Sequence, residues 1–350
     1  MAEPASVPRA LILVVHGAEI FDSGEVAWLI RLLRPTRTIV AGVMARTAAE
    51  ESGLPVEFDG APPSRIIRSL NGEVILGNHA KTPESGEIFG SVIASRLGRR
   101  GLVQVECTKK AVIVWDGGDR NLGLSVAGRI GFSLEILESP PANREEERSI
   151  RGCLPGESVY VDGTIIGTAT DSTVILRKRG SRIEAVRGLA PKEHGLEKLD
   201  TTCPDLATAW CKSGPIRLHP PSKGGGSAVR SGRIAVVDHC GHGLYGQLTP
   251  DCCGVLAIGD DTTAVCGHIC MHRGIPVLGI VDGDRDTFLP SAFAPGSVVL
   301  EAVGERDDDL GREVAGMVGK GPVRWADWTA RVTRRLGSRV RVVIDKRALP

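Results

Sequence analysis

Residues 254–286 read GVLAIGDDTTAVCGHICMHRGIPVLGIVDGDRD, and this stretch decides the fold of the C-terminal part of the chain. The short apolar run at 255–258 is typical of a buried strand, and a loop of two aspartates and two threonines follows it. The residues after this loop have the length of a helix, for which Gly274 is a suitable C-terminal cap. A second apolar run then leads to three more aspartates. The succession of strand, helix and strand predicts an α/β sheet with parallel neighbouring strands.

The N-terminal part of the chain shows the same alternation of apolar runs and helical segments. RALILVVHG at 9–17, EVILGN at 73–78 and AVIVWDGG at 111–118 are typical of buried strands. After the second of these runs, Thr82 is a suitable helix cap and Pro83 fits the first helical position. Because aromatic residues make up only 4% of the chain, the core must be mostly aliphatic, which suits parallel sheets buried on both faces.

A different pattern separates these two parts. Residues 157–188 alternate apolar and polar side chains and contain Asp-Gly and Arg-Gly turns, which predicts antiparallel β-structure. A later stretch with three consecutive glycines and a pair of prolines is typical of a linker or a loop. We therefore predict an α/β protein with two open, mostly parallel α/β units and a small antiparallel β-module between them. The predicted regions are an N-terminal α/β domain (1–138), a β-rich module (139–212), a Gly/Pro/Ser-rich linker or loop (213–233) and a C-terminal α/β domain (234–350).

The composition argues against several classes of protein. Lys and Arg (43) nearly balance Asp and Glu (42), so a net charge of +1 provides no electrostatic attraction for nucleic acid or an anionic membrane. No apolar run approaches the ~18 residues that a membrane-spanning helix needs, and the first residues do not have the pattern of a signal peptide. We therefore expect a cytoplasmic protein that binds neither nucleic acid nor membrane. Its 9 cysteines are then free thiols or metal ligands, because disulfides are rare in that compartment.

Polar side chains follow three of the predicted C-terminal strands at the points where these strands end. In an open parallel sheet the carboxyl ends of the strands meet at one edge, and ligands bind there. Aspartate oxygens are ligands that Mg²⁺ prefers, and a threonine hydroxyl beside the N–H groups of a helix N-terminus suits an oxyanion. The sequence therefore predicts a Mg²⁺ site for a small phosphorylated ligand. The candidate metal ligands are Asp260, Asp261, Asp282, Asp284 and Asp286, the candidate ligand-binding residues are Gly259, Thr262 and Thr263, and the candidate catalytic residues are Asp238 and His239, with His239 as a general acid–base.

Lys81 and Glu84 are further candidate ligand-binding residues, in the N-terminal part of the chain. Lys81 follows a predicted strand and can meet an anion there. Glu84 begins the sequence ESGE at a predicted helix start, which resembles DSGE at 22–25. If that similarity is real, two helix N-termini lie at the same sheet edge, where anions bind. Purely structural roles stay open for all of these segments. Lys81 can lie in an ordinary strand-end turn, GDDTT can provide only a helix cap, and residues 282–286 can form a solvated turn.

Cysteine and histidine residues are concentrated between positions 239 and 272, which supports a competing interpretation. Cys266 and Cys270 lie four residues apart on the predicted helix, as do His268 and His272. Such pairs can bind Zn²⁺ or an iron–sulfur cluster, although no standard ligand spacing is present. Small thiols also pack well in an aliphatic helix of this kind. Packing is therefore the favoured role of these two cysteines, and Mg²⁺ the favoured cofactor.

Three segments resemble a known family. GDDTTAVCGHICMHRGIPVLGIVDGDRD, NHAKTPESGEIFGSVIASRL and KEHGLEKL are similar to archaeal proteins found mainly in methanogens, the domain of unknown function 2117. The resemblance covers most of the chain, and GDDTT…GIP…DGD is its specific part. At the position of His268 the family pattern is usually acidic, so this chain departs from it there. The family has no established activity, and the resemblance therefore implies a cellular setting and no mechanism.

These observations together predict a Mg²⁺-dependent binding site for a nucleotide or a phosphorylated metabolite. The natural class for such a site is an enzyme of phosphoryl or nucleotide chemistry. The alternative is a non-catalytic factor that senses a small ligand, or that helps to assemble a metallocofactor through the cysteines and histidines. The sequence leaves open which of these is correct, and it gives no indication of protein partners.

Overall fold

The computed structural model describes residues 10–140, 147–162, 164–206, 209, 211–222, 224, 230–283 and 292–347, with Thr202 and His242 described by their backbone alone. The chain folds into two compact units, Met1–Gly214 (unit 1) and Pro215–Pro350 (unit 2). Helices occur together with parallel and antiparallel strands, so the predicted mixed α/β class is confirmed. In the described part of the chain, no helix has the length and apolar character needed to cross a membrane.

Unit 1 contains a seven-stranded sheet, whose strands are β1 (Leu11–His16), β2 (Arg37–Ala41), β3 (Glu57–Asp59), β4 (Glu73–Asn78), β5 (Leu102–Glu106), β6 (Ala111–Trp115) and β7 (Ser133–Leu137). They lie side by side in the order β3-β2-β1-β4-β5-β6-β7. All neighbours are parallel except β5 and β6, which are antiparallel. His16 at the end of β1 lies beside Ala41 of β2 and Asn78 of β4, so the carboxyl ends of these three strands are level.

Helices cover both faces of this sheet. They are α1 (Glu19–Asp22), α2 (Glu25–Leu33), α3 (Val43–Ser52), α4 (Pro63–Ser69), α5 (Pro83–Leu97) and α6 (Arg120–Ile130). Successive side chains of a strand point to opposite faces of its sheet. Leu13 and Val15 of β1 accordingly pack in one core cluster with residues of α2, α3 and α6. Ile12 and Val14 pack in another cluster with residues of α4 and α5.

The rest of unit 1 consists mainly of short antiparallel strands. They are β8 (Glu147–Arg151), β9 (Ser158–Val161), β10 (Thr164–Ala169), β11 (Thr173–Arg179), β12 (Arg182–Arg187), β13 (Leu189–Pro191) and β14 (Cys211–Ser213), with helix α7 (Glu193–Thr202) before the last. A four-stranded sheet has the order β13-β10-β9-β14, and a three-stranded sheet has the order β12-β11-β8. All pairs in these two sheets are antiparallel, as the alternating sequence pattern predicted. This β-rich region belongs to the same compact unit as the seven-stranded sheet.

Unit 2 contains a six-stranded sheet and the helices around it. Its elements are β15 (Ser231–Asp238), α8 (Leu244–Gln247), β16 (Cys252–Ile258), α9 (Asp260–Arg273), β17 (Val277–Val281), β18 (Val298–Ala302), α10 (Asp307–Gly316), β19 (Val323–Arg324), α11 (Trp325–Leu336) and β20 (Val340–Asp345). In the order β19-β15-β16-β17-β18-β20, the central strands β15 to β18 are parallel and the two edge strands are antiparallel to their neighbours. Gly274, with a φ of 65°, caps the C-terminus of α9 as predicted.

The helices of unit 2 lie on opposite faces of its sheet. Leu278 and Ile280 of β17 belong to a core cluster with Trp325 and other residues of α10 and α11. Gly279, between them, faces α9 instead, because a Cβ at Gly279 would lie only 2.3 Å from Thr263 Cγ2. Helices α9 and α10 follow parallel strands, so both begin at the carboxyl edge of the sheet, one on each face.

Candidate metal and ligand site

The carboxyl ends of the central strands of unit 2 bring acidic side chains to one edge of the sheet. Strand β15 ends at Asp238, and β16 ends just before Gly259 and Asp260. Strand β17 ends just before Asp282, and α10, which follows β18, begins at Asp307. Because β15, β16, β17 and β18 are parallel neighbours, these ends lie next to one another, where open α/β sheets bind ligands.

Asp260, Asp282 and Asp307 form the first of two groups that can hold a metal ion. One carboxylate oxygen of each residue lies within 4.8 Å of the others. The backbone N–H of Asp282 donates a hydrogen bond of 3.1 Å to Asp260 Oδ2, which joins the two loops. Asp307 is only 5% exposed, whereas Asp282 is exposed. The expected convergence of the GDDTT and DGDRD loops is therefore confirmed for Asp260 and Asp282, and metal binding stays a prediction.

The surroundings of this group disfavour negative charge on its carboxylates. Burial raises the pKa of Asp260 to about 7, and the neighbouring Asp282 adds to that shift. Burial also raises the pKa of Asp307, again with a contribution from the charge of Asp282. Asp260 Oδ1 is buried and has no hydrogen-bond partner among the described residues. This set of oxygen donors fits a divalent cation such as Mg²⁺, which binds carboxylates and offsets their mutual repulsion.

His239 forms a second group with Asp307 and Asp308, whose ligand atoms also lie within 4.8 Å of one another. His239 Nδ1 lies 2.6 Å from Asp238 Oδ1, and Nε2 lies 3.4 Å from Asp308 Oδ1. A carboxylate at Nδ1 fixes the tautomer and the orientation of an imidazole, which leaves Nε2 for the acidic group. His239 has a φ of 48°, a left-handed conformation that is uncommon for residues other than glycine.

Gly259 lies between the His239 ring and the start of α9. It is the N-cap of α9 and has a φ of 100°, which L side chains rarely adopt. A Cβ at this position would lie 3.0 Å from His239 Nε2. Its N–H donates a hydrogen bond of 2.9 Å to the carbonyl of Ile280. Because Gly259 has no side chain, the His239 imidazole can lie close to the N-terminus of α9.

Thr262 and Thr263, predicted to contact a ligand, are buried in the first turns of α9. Their exposed fractions are 5% and 3%. Thr263 Oγ1 lies 3.5 Å from the carbonyl oxygen of Ala257, and the side chain packs against Gly279. Thr263 thus contributes to the contact between helix and sheet, and its backbone N–H donates a hydrogen bond of 2.9 Å to the carbonyl of Gly259.

Asp307 and Asp308 are residues of this site that the sequence analysis missed. The signal was present, since ERDDD follows the apolar run VVLEAV just as GDDTT follows VLAI. Of the predicted metal ligands, Asp261 lies in the first turn of α9 but outside both groups formed by the described residues. Asp284 and Asp286 lie outside the described residues.

Lys81 and Glu84, the other predicted ligand-binding residues, belong to unit 1 and follow β4 at the carboxyl edge of the seven-stranded sheet. Lys81 Nζ forms an ion pair of 2.5 Å with Glu157 and donates a hydrogen bond of 2.9 Å to Ser213 Oγ. Glu84 is exposed in the first turn of α5. The N-cap of that helix is Thr82, as predicted. The structure therefore ties Lys81 to the β-rich part of unit 1 and leaves Glu84 at the surface.

Residues 13–321 match the family described as an uncharacterized protein conserved in archaea, DUF2117. The chain belongs to this family. The resemblance seen in the sequence segments is thereby confirmed, and the DUF2117 match includes both groups of acidic residues. An uncharacterized protein of Methanocaldococcus jannaschii is 31% identical over 324 residues, which are 86% of this chain and 89% of that protein. No solved structure matches this DUF2117 chain.

The cysteines of unit 2 are mostly part of its core. Cys266 and Cys270 on α9 are fully buried, as predicted from their aliphatic surroundings. Burial raises the pKa of both thiols far above the usual value. Among the residues that the structure describes, neither group of potential metal ligands contains a cysteine. Cys252 and Cys253 are also buried, whereas Cys240 is exposed.

Proposed function

We propose that the carboxyl edge of the unit 2 sheet binds a divalent cation, preferentially Mg²⁺, together with a nucleotide or a phosphorylated metabolite. The observation that carries this proposal is the group formed by Asp260, Asp282 and Asp307, whose ligand oxygens lie within 4.8 Å of one another. Three carboxylates on three different strand ends repel one another, and Asp260 Oδ1 has no hydrogen-bond partner among the described residues. A bound cation offsets the repulsion between the carboxylates and gives Asp260 Oδ1 a partner.

Mg²⁺ is favoured over softer metals because of the donor atoms. Carboxylate oxygens suit Mg²⁺, which is bound at distances of ~2.1 Å and usually keeps several waters. The three carboxylates of Asp260, Asp282 and Asp307 leave octahedral positions for water and for phosphate oxygens. A phosphate at those positions is also close to the N-terminus of α9, a helix of 14 residues whose first N–H groups favour an anion.

Asp238 and His239 supply acid–base chemistry at the same edge. The contact of 2.6 Å between Asp238 Oδ1 and His239 Nδ1 orients the imidazole so that Nε2 faces Asp307 and Asp308. A histidine held in this way can accept a proton from a nucleophile or return one to a leaving group beside a metal-bound phosphate. We therefore propose an enzyme of phosphoryl or nucleotide chemistry, with His239 as its general acid–base.

A thermal-shift screen tests this function. Mg²⁺ and a panel of nucleoside phosphates and sugar phosphates are added alone and in pairs. We expect one pair to raise the melting temperature more than either component, with a stabilisation of about 2.7 kcal/mol at ~100 times the dissociation constant. Asp282→Asn removes a cation ligand and should abolish this synergy.

The matched control is Asp309→Asn, because Asp309 lies in the same acidic first turn of α10 as Asp307. Asp309 pairs with Arg312 at 3.1 Å and belongs to neither metal group of the described residues. This variant should keep the full synergy. Equal shifts in Asp282→Asn and in the wild-type protein, or no shift with any pair, would contradict the proposal.

A further inference from the structure

The second group at the unit 2 edge, formed by His239, Asp307 and Asp308, differs from the first in its donor atoms. It contains an imidazole nitrogen in addition to carboxylate oxygens, and its three ligand atoms lie within 4.8 Å of one another. His239 follows β15, whereas the two aspartates begin α10, so the fold brings them together from distant parts of the chain. Because nitrogen and oxygen donors suit different metals, the two groups should differ in the cation that they prefer.

The ligand atoms of this second group are close to one another but are not hydrogen-bonded. His239 Nε2 lies 3.4 Å from Asp308 Oδ1 and 4.0 Å from Asp307 Oδ2. The side chain of Asp307 is only 8% exposed, and within the described part of the chain its Oδ2 has no hydrogen-bond partner. Buried polar atoms normally have a partner, which can be an ion. Asp307 Oδ2 is therefore available to a ligand beside His239.

The His239 imidazole has the arrangement of a metal-ligating histidine. Its Nδ1 lies 2.6 Å from Asp238 Oδ1. Since an ionised carboxylate can only accept a hydrogen bond, Nδ1 of the neutral ring carries the proton and Nε2 keeps its lone pair. A histidine that binds a metal almost always donates its other ring N–H in this way, to a carboxylate, a carbonyl or a water. The contact with Asp238 therefore orients Nε2 for a cation as well as for a proton.

The distances within the group fit Zn²⁺. This ion binds imidazole nitrogen and carboxylate oxygen at about 2.1 Å, so two of its ligand atoms can lie up to ~4.2 Å apart. The separations of 3.4 and 4.0 Å from His239 Nε2 are within that limit. Three protein ligands leave the fourth position of Zn²⁺ for water. Mg²⁺ prefers oxygen ligands, so the imidazole favours Zn²⁺ here.

We propose that His239, Asp307 and Asp308 bind Zn²⁺, and that this ion prevents His239 from acting as the general acid–base. The side chains of His239 and Asp308 are 31% and 36% exposed, so the ion can reach the group from solvent. A cation on Nε2 occupies the lone pair that otherwise accepts a proton, and the two states therefore exclude each other. Zn²⁺ binding is independent of the proposed function, whereas its inhibitory effect rests on that function.

The membership of the two groups allows each cation to be removed separately. Asp307 belongs to both groups. Asp260 and Asp282 belong to the Mg²⁺ group alone, and His239 and Asp308 belong to the Zn²⁺ group alone. A substitution outside Asp307 should therefore remove one cation and leave the binding of the other intact.

Titration of the metal-free, full-length protein with Co²⁺ tests the Zn²⁺ site. Co²⁺ commonly replaces Zn²⁺, and in four-coordinate sites it absorbs visible light much more strongly than in octahedral sites made of oxygen ligands. We expect a saturable visible band without the near-ultraviolet absorption of cobalt–thiolate bonds, because the group consists of an imidazole and two carboxylates. A thiolate band, or loss of the visible band in Cys240→Ser, would overturn the proposal, since Cys240 is an exposed thiol next to His239.

Three variants assign the band to its ligands. His239→Asn should abolish it, and asparagine tolerates the left-handed backbone of this position, where φ is 48°. Asp238→Asn should weaken Co²⁺ binding by roughly 10–100-fold, because the orienting carboxylate is lost. Asp282→Asn should retain the band, because Asp282 belongs to the Mg²⁺ group alone. Loss of the band in Asp282→Asn together with its retention in His239→Asn would overturn the proposal.

Modification with diethyl pyrocarbonate tests whether the ion occupies His239 Nε2 in the wild-type protein. This reagent acylates neutral imidazole, and peptide mass spectrometry measures the rate at each histidine. His194 is the matched control, because its side chain is 38% exposed and its Nδ1 lies 3.6 Å from Glu197. Zn²⁺ at ~10 times its dissociation constant should slow modification of His239 about tenfold and leave His194 unaffected. Equal rates at His239 with and without Zn²⁺, or equal protection of both histidines, would overturn the proposal.

Discussion

The large sheets of unit 1 and unit 2 both place acidic side chains at the carboxyl ends of parallel strands, but the oxygens of these acids have different partners. At the edge of unit 1, the fully buried Glu106 accepts hydrogen bonds from Asn78 Nδ2 at 2.7 Å and from Gln104 Nε2 at 3.2 Å. The backbone N–H groups of Ala80 and Thr108 donate to its other oxygen at 3.0 and 3.3 Å. At the edge of unit 2, the oxygens of Asp260, Asp282 and Asp307 instead lie within 4.8 Å of one another.

This difference distinguishes a structural carboxylate from a candidate ligand carboxylate. Burial still raises the pKa of Glu106, but the four hydrogen bonds offset part of that cost and give both of its oxygens partners within the protein. In the Asp260 group, backbone N–H groups donate to Asp260 Oδ2 and to Asp307 Oδ1, whereas Asp260 Oδ1 has no hydrogen-bond partner among the described residues. Removing an acid should therefore destabilise unit 1 strongly and leave the stability of unit 2 nearly unchanged.

Glu106→Ala should have the largest effect on stability. It leaves the buried Asn78 amide and two part-buried backbone N–H groups without this acceptor, at a cost of about 1–3 kcal/mol for each unsatisfied group, while Gln104 Nε2 keeps its hydrogen bond to the carbonyl of Gly86. We expect the free energy of unfolding, measured by urea denaturation, to fall by at least ~3 kcal/mol. Glu57→Ala is the matched control, because Glu57 is an exposed partner of Arg37 and an exposed pair is worth less than ~1 kcal/mol. A similar loss in both variants would show that the buried network is not a special source of stability.

Asp260→Asn should have a small effect of the opposite sign. The raised pKa of Asp260 means that its carboxylate is less stable in the folded protein than in the unfolded chain. Removing the charge should leave the free energy of unfolding unchanged or raise it by about 1 kcal/mol in cation-free buffer at neutral pH, since like charges no longer repel. If Asp260 served only as a favourable charge at the N-terminus of α9, the same substitution would destabilise the protein by about 0.3–1 kcal/mol. Urea denaturation at low salt distinguishes the two results.

Many strand ends and helix ends around the unit 2 site and in unit 1 could be predicted because they depend on local sequence. Short apolar runs followed by polar residues correctly placed the ends of β15, β16 and β17. Gly274 and Thr82 correctly marked a helix end and a helix start, since each acts through neighbouring backbone groups. The proximity of Asp260 and Asp282 then followed from the parallel arrangement of adjacent strands.

The remaining features depend on contacts between distant parts of the chain. Asp307 had a local signal, an acidic run after an apolar run, but the packing of α10 on the face of the sheet opposite α9 depends on contacts between distant residues. The side chain of Thr263 on α9 is buried because Gly279 on strand β17 leaves room for it. The antiparallel direction of β6 relative to β5 was not predicted either, because the apolar run of a buried strand does not indicate its direction.

Calorimetric titration with Mg²⁺ tests the central claim, cation binding at the unit 2 edge, most directly. The wild-type protein is titrated at about pH 8 and about pH 6, and Asp282→Asn and Asp309→Asn are titrated at the higher pH. Because the pKa of Asp260 is raised to about 7, protons compete with the cation at the lower pH. The account predicts saturable binding that weakens at about pH 6, is lost in Asp282→Asn and is retained in Asp309→Asn. Absence of saturable binding by the wild-type protein, or equal affinity in Asp282→Asn, would contradict it.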